Sequence, residues 1–109
     1  MALSGVHITC GYSGPTYGKA GRDSGITLLG KGVWSETMPT AGTTTNVSPI
    51  ESETGGEPIF SITAASDIYF AIGPNPDAQN GVRRYLAAND SIDIFGDRGG
   101  GEKVAWILA

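Results

Sequence analysis

The chain of 109 residues and 11.2 kDa is one domain's worth, and area scaling lets a chain of this size bury about two-thirds of its unfolded surface without disulfides. Asp and Glu number 11 against 7 Lys and Arg, a net charge of −4 with no basic cluster beyond Arg83-Arg84, which argues against nucleic acid as a primary partner because phosphate neutralisation needs several cations on one face. Gly 17 and Pro 6 stand beside an ordinary hydrophobic share of 39% with no strict glycine period, which excludes a collagen and wholesale disorder and asks for the many turns of an all-β fold.

No apolar run approaches the roughly 20 residues of a membrane-spanning helix, so no membrane partner is expected. Met1-Ala2-Leu3-Ser4-Gly5 has neither a basic flank nor a long apolar stretch, so the expectation is a chain without a secretory signal that folds in a cytoplasm. The single Cys10 permits no intramolecular disulfide and reads as a small buried hydrophobe rather than a reactive thiol.

In chain order, residues 3–9 alternate loosely and predict a first strand, with His7 and Thr9 facing opposite to Val6 and Ile8. Residues 10–25 hold Gly11, Gly14, Gly18, Gly21, Gly25 and Pro15, sustain no period, and predict a glycine-rich irregular segment. Whether residues 1–25 are an extended N-terminal arm or part of the sandwich stays open at this point. Tyr12 and Tyr17 within it suit packing on a partner or on the chain's own sheets.

Ile26 to Leu29 and Val33 to Glu36 predict two short strands around the glycine-flanked turn Gly30-Lys31-Gly32. Residues 39–56 are rich in Thr, Ser, Gly, Glu and Pro and predict a long surface loop with an edge strand over 43–47. A loop of that length in a small domain carries function or is ordered by a neighbour.

The clearest stretch is 57–96. Phe60, Ile62 and Ala64, then Ile68, Phe70 and Ile72, then Ile92 and Ile94 recur at every second position, the period of half-buried strands, and four strands are predicted there. Ser61, Thr63, Asp67, Tyr69 and Asp93 take the other face. Pro74, Pro76 and the glycines of residues 73–81 break the ladder into a surface loop. Residues 99–101, all glycine, make a turn, and residues 103–108 predict a closing strand with apolar residues on both faces, central in a sheet or buried against another subunit. No window carries helical spacing with a cap ahead of it.

The polar inventory is thin for an enzyme. His7 and Cys10 are three apart, on opposite faces of a strand, which is poor geometry for a nucleophile and its base and too few ligands for zinc. Asp67, Asp77, Asp90, Asp93 and Asp97 sit at strand ends, where aspartates bond their own turn backbone; their spacing matches no calcium loop. Gly99 to Gly101 before Glu102-Lys103 lacks the Ser or Thr and the helix of a phosphate loop. Neither a catalytic residue, a metal nor a cofactor is expected. Tyr69, Tyr85 and Trp34 could form an aromatic platform for sugars, although Trp34 and Tyr85 read better as core or subunit-contact residues.

Ile68-Tyr69-Phe70-Ala71-Ile72-Gly73 with Pro74 and Pro76-Asp77-Ala78, then Arg84-Tyr85-Leu86-Ala87-Ala88, then a strand ending in Phe95 and Gly101-Glu102-Lys103-Val104-Ala105-Trp106-Ile107, resemble segments of small virion proteins of tailed bacteriophages and prophages. Trp34-Ser35-Glu36-Thr37-Met38 and Gly42-Thr43-Thr44-Thr45 resemble segments of the same group, so the resemblance covers roughly the last three-quarters of the chain. It implies a structural role in the particle and carries over no catalytic residue.

The expectation is a small antiparallel β-sandwich, jelly-roll-like, of seven or eight strands, in a single domain over residues 1–109. The resemblance implies a capsid decoration or cement protein, a homo-oligomer such as a trimer on the major capsid protein at the virion surface. A neck or tail component and a module recognising host-surface sugars are the alternatives. Tyr12, Tyr17, Trp34, Tyr69, Tyr85 and Trp106 are the candidate subunit or capsid contacts.

Overall fold

A computed structural model describes residues 4–13, 29–50, 57–97 and 99–109. Among them are eight strands and no helix: β1 (Val6–Ser13), β2 (Leu29–Met38), β3 (Gly42–Thr43), β4 (Pro58–Ala64), β5 (Ile68–Gly73), β6 (Arg84–Leu86), β7 (Ser91–Phe95) and β8 (Lys103–Leu108). They form two antiparallel four-stranded sheets, β2-β1-β4-β7 (sheet A) and β3-β8-β5-β6 (sheet B). The two-residue period explains the layering. Val6, Ile8 and Cys10 of β1, Phe60, Ile62 and Ala64 of β4, Ile68 and Phe70 of β5, Leu86 of β6, and Val104 and Trp106 of β8 make one buried cluster between the sheets.

The expected alternating strands over 57–96 are β4 to β7, and the closing strand is β8, central between β3 and β5. Its second apolar face is covered by the chain itself: Ala105 packs with Ala71 and with Ala78 of the β5–β6 connection, and Ile107 lies against them. Trp106 is 2% exposed, and its indole N–H is buried without a hydrogen-bond partner, a local cost inside an otherwise apolar cluster.

Three expectations are corrected. The first strand continues past Cys10 to Ser13, pairing with β2 on one side and β4 on the other, so residues 6–13 of the stretch considered as an arm are a central strand. Gly11 does not end it, because paired backbone on both sides supplies the ladder bonds that a side chain does not. The hairpin expected at Gly30-Lys31-Gly32 is instead the interior of one strand, β2, kept in step with β1 by register shifts at Cys10/Gly11 and Tyr12/Ser13. Finally, residues 44–48 of the expected surface loop are hydrogen-bonded to the chain's own β8 and the turn that precedes it. The Thr44 N–H donates to Val104 O at 2.8 Å, the Ser48 N–H to Glu102 O at 2.8 Å and the Gly101 N–H to Ser48 O at 2.8 Å. The buried hydroxyls of Thr44 and Ser48 accept from the N–H groups of Val104 and Glu102. The edge strand expected over 43–47 is the shorter β3. Tyr17, Ile26 and the rest of 14–28 lie outside the described residues, as do 51–56.

Two glycines hold positions that no side chain could. Gly5, at φ +78°, would put a Cβ on the Met38 carbonyl, and Gly100, at φ +72°, would press one into Pro49 where residues 48–50 cross the β7–β8 turn. Gly5 O accepts from Ala65 N–H and Ala109 N–H donates to Asp67 O, so the beginning of β1 and the end of β8 meet at the β4–β5 corner.

Candidate functional site

The outer face of sheet B brings two tyrosines together with an arginine and an aspartate. Register sets Tyr69 between Ile107 of β8 and Tyr85 of β6, so Ile107, Tyr69 and Tyr85 form a row across three neighbouring strands. The two tyrosine rings meet edge to face, centroids 5.9 Å apart at 65°. Residues 74–83 fold back over this face. Ala78 is buried against Ala71 and Ala105, and the Arg83 guanidinium carbon lies 3.9 Å from the centroid of Tyr69 while Nη1 donates to Ala78 O at 3.2 Å. Asp77 Oδ1 accepts the N–H groups of Gln79 and Asn80, both at 3.0 Å, and Asp77 O accepts that of Gly81 at 2.9 Å, so the loop is a hydrogen-bonded turn rather than a free tether.

Tyr85 is 54% exposed and Val82 95%. Partial burial first, then the Asp67 carboxylate beside it, holds the Tyr85 hydroxyl above its ordinary value of 10.0. Asp67 Oδ1 in turn accepts the Ala88 N–H at 2.8 Å, fixing the carboxylate at the end of the row. At the other end, a cleft of about 270 Å³ opens between β3 and residues 76–79, lined by Thr43, Asp77, Gln79, Ala105 and Ile107 among others.

The outer face of sheet A is different. Two cross-strand rows, Ser35-Thr9-Ser61-Asp93 and Thr37-His7-Thr63-Ser91, cover it with short polar side chains. Thr63 Oγ1 and Ser91 Oγ are 2.8 Å apart, and His7 Nδ1 is 2.7 Å from Thr37 Oγ1. Cys10 is on the buried side of the same strand, where desolvation pushes its thiol from 9.0 up to about 12. His7 and Cys10 thus face opposite ways, as their spacing predicts.

Of the candidate contact residues, the structure brings Tyr69 and Tyr85 together and separates the others from them. Trp34 belongs to sheet A, packs edge-on against Phe60 at 6.3 Å and donates from Nε1 to Val47 O at 2.8 Å. Tyr12 is half-buried, its hydroxyl donating to Ile50 O at 3.0 Å. Trp106 is core. Arg83, Asp67 and Asp77 complete the sheet B face, and only the β5–β6 register, which sequence does not display, connects them to the tyrosines. Among the described residues no three His, Cys, Asp or Glu side chains converge as a metal site, and no helix is long and apolar enough to cross a membrane. Comparison with protein-family models, curated proteins and solved structures finds no match to this chain.

Proposed function

We propose that this chain is a structural virion protein of a tailed bacteriophage, a capsid decoration protein that binds the assembled head lattice as a homo-oligomer, a trimer, and stabilises it without catalysing a reaction. The observation that carries the reading is where the phage-like segments lie. Residues 68–73, 84–86 and 103–107 fall in β5, β6 and β8 and 42–43 is β3, all of sheet B, while 34–38 and the strand ending in Phe95 fall in β2 and β7 of sheet A. The resembling segments thus supply strands to both sheets, which supports reading the resemblance as one of the fold as a whole.

The jelly-roll part of the expectation belongs to this proposal. With β1 counted as the last strand instead of the first, the sheets β2-β1-β4-β7 and β3-β8-β5-β6 follow the jelly-roll order, and the meeting of β1 and β8 at the β4–β5 corner supports that reading.

A protein that binds only the assembled lattice stabilises it by mass action, about 2.7 kcal/mol per site at a hundredfold its dissociation constant. Particles made without the gene are expected to assemble but lose DNA on heating, and purified protein added back is expected to restore them. Particles of normal stability that fail to adsorb to cells would overturn the decoration role.

A further inference from the structure

We infer that Asn80 is a site of spontaneous deamidation, and that the turn built on Asp77 sets its rate. The inference does not rest on the virion reading.

The reaction needs only water. The backbone nitrogen of the residue after the asparagine gives its proton to solvent and bonds to Cγ, the Cγ–Nδ2 bond breaks, and ammonia leaves. Water then opens the cyclic imide. Opening at Cγ gives aspartate, and opening at the main-chain carbonyl carbon gives isoaspartate, with the chain rerouted through the side chain. The attacking nitrogen has to be released from any hydrogen bond and unshielded by its own side chain, and these two demands sort the four asparagines of the chain. Asn75 precedes Pro76, whose nitrogen has no proton to lose. Asn46 precedes the β-branched Val47, and its Nδ2 is held by Glu36 Oε1 at 2.9 Å. Asn89 meets neither demand, because Asp90 carries a side chain and its N–H donates to Ala87 O at 3.1 Å. Asn80 alone precedes a glycine, and both residues are exposed. It meets the steric demand in full and the other whenever the turn opens.

The fold explains why glycine stands there. A Cβ on Gly81 would lie 2.7 Å from Asp77 O and 3.2 Å from Asp77 Cβ, so the turn takes no larger residue. The same close approach lets the Gly81 N–H donate to Asp77 O at 2.9 Å, which engages the reacting nitrogen while the turn is closed. Asp77 Oδ1 holds the turn from its side chain, accepting the Gln79 and Asn80 N–H groups, both at 3.0 Å. Cyclisation therefore waits on local opening, and exposed backbone hydrogen bonds of this kind open at small cost, so the site is slowed rather than closed. The product alters the sheet B face: it adds a negative charge three residues from Asp77, and isoaspartate lengthens the main chain beside the Ala78 and Gln79 carbonyls that hold Arg83 over Tyr69.

The experiment incubates the full chain at pH 8, native and in guanidinium chloride, and follows each asparagine by peptide mapping with mass spectrometry. The inference expects acid to accumulate at residue 80 ahead of residues 46, 75 and 89, and at least about tenfold more slowly in the native chain than in the unfolded one. It also expects Asp77→Ala to speed native conversion several-fold, and Asp77→Ser, whose hydroxyl still accepts the turn N–H groups, to stay close to the unaltered chain. Conversion of another asparagine first, or none at residue 80 of the native chain over weeks, would overturn the site. Equal native and unfolded rates, or an unaltered rate in a folded Asp77→Ala, would overturn control by the turn. The comparison of native with unfolded chain needs no variant, so it decides the matter even where Asp77→Ala does not fold.

Discussion

Glu36 and Asn46 are joined twice: carboxylate Oε1 accepts the Asn46 backbone N–H at 3.0 Å and its side-chain Nδ2 at 2.9 Å. The same carboxylate takes the Thr45 N–H at 2.9 Å, so one side chain of sheet A holds the segment that leaves β3 of sheet B. Thr45 and Asn46 are exposed, so water takes up their donors when the carboxylate is lost, and the net contribution is about 0.5–1.5 kcal/mol. Glu36→Ala is expected to lower unfolding stability by that amount in urea titration, and Glu36→Gln by less, because the amide oxygen still accepts. Equal stability of Glu36→Ala and the unaltered chain would show the latch to be incidental.

Removing residues 1–13 is expected to abolish cooperative unfolding. β1 supplies Val6, Ile8 and Cys10 to the core and is the strand through which β2 joins sheet A. A truncated chain that keeps a two-state thermal transition would contradict the central placement of β1.

Trp106→Ala is expected to cost about 3–5 kcal/mol, the range for deleting a large buried aromatic. Trp106→Phe should cost much less than that, since it keeps a ring in the inter-sheet core and removes an N–H that lacks a partner there. Denaturant midpoints of the two variants measure the difference directly.

Cys10 supplies a pH test. Its thiol is pushed up to about 12 in the fold against 9.0 unperturbed, chiefly by burial, so the folded state holds the proton that the unfolded state releases. The stability associated with this group is fully present below about 9 and falls as the pH rises toward 12. Native protein at pH 8 is expected to react with a thiol reagent only as fast as it unfolds, and Cys10→Ala should flatten the alkaline loss of stability. Rapid labelling of the native protein would contradict the burial.

Asn89 sits at φ 67°, a conformation that costs a β-carbon-bearing residue about 1–2 kcal/mol, less for Asn. Its N–H donates to Ala64 O at 2.8 Å, closing the β6–β7 turn onto β4. Asn89→Gly is expected to be neutral or slightly stabilising and Asn89→Val destabilising, read as shifts in melting temperature.

β4, β5 and β7 are legible because each keeps one face in the core, an asymmetry written as a two-residue period, and β8 is legible as a short run apolar on both faces, of which the second packs on Ala71 and Ala78. β2 was not legible in the same way. Gly30 and Gly32 look like turn residues in a linear reading, whereas in the sheet Gly32 lies opposite Gly11 in the cross-strand register. Thr44 and Ser48 are buried polar residues whose hydroxyls replace ladder partners for β8, and a polar run of sequence carries no sign of that. Tyr69 and Tyr85 were identifiable as exposed aromatics, but their contact depends on pairing strands separated by a loop, and the grouping of Trp34 with them fails because β2 belongs to the other sheet.

The central claim, a decoration protein of the phage head, is tested most directly by the copy number of this chain in purified particles, from quantitative mass spectrometry against the major capsid protein. A head decoration protein is expected at a fixed ratio close to that of lattice sites, with the chain recovered in heads separated from tails. Recovery of only a few copies, or of the chain with tails alone, would contradict it.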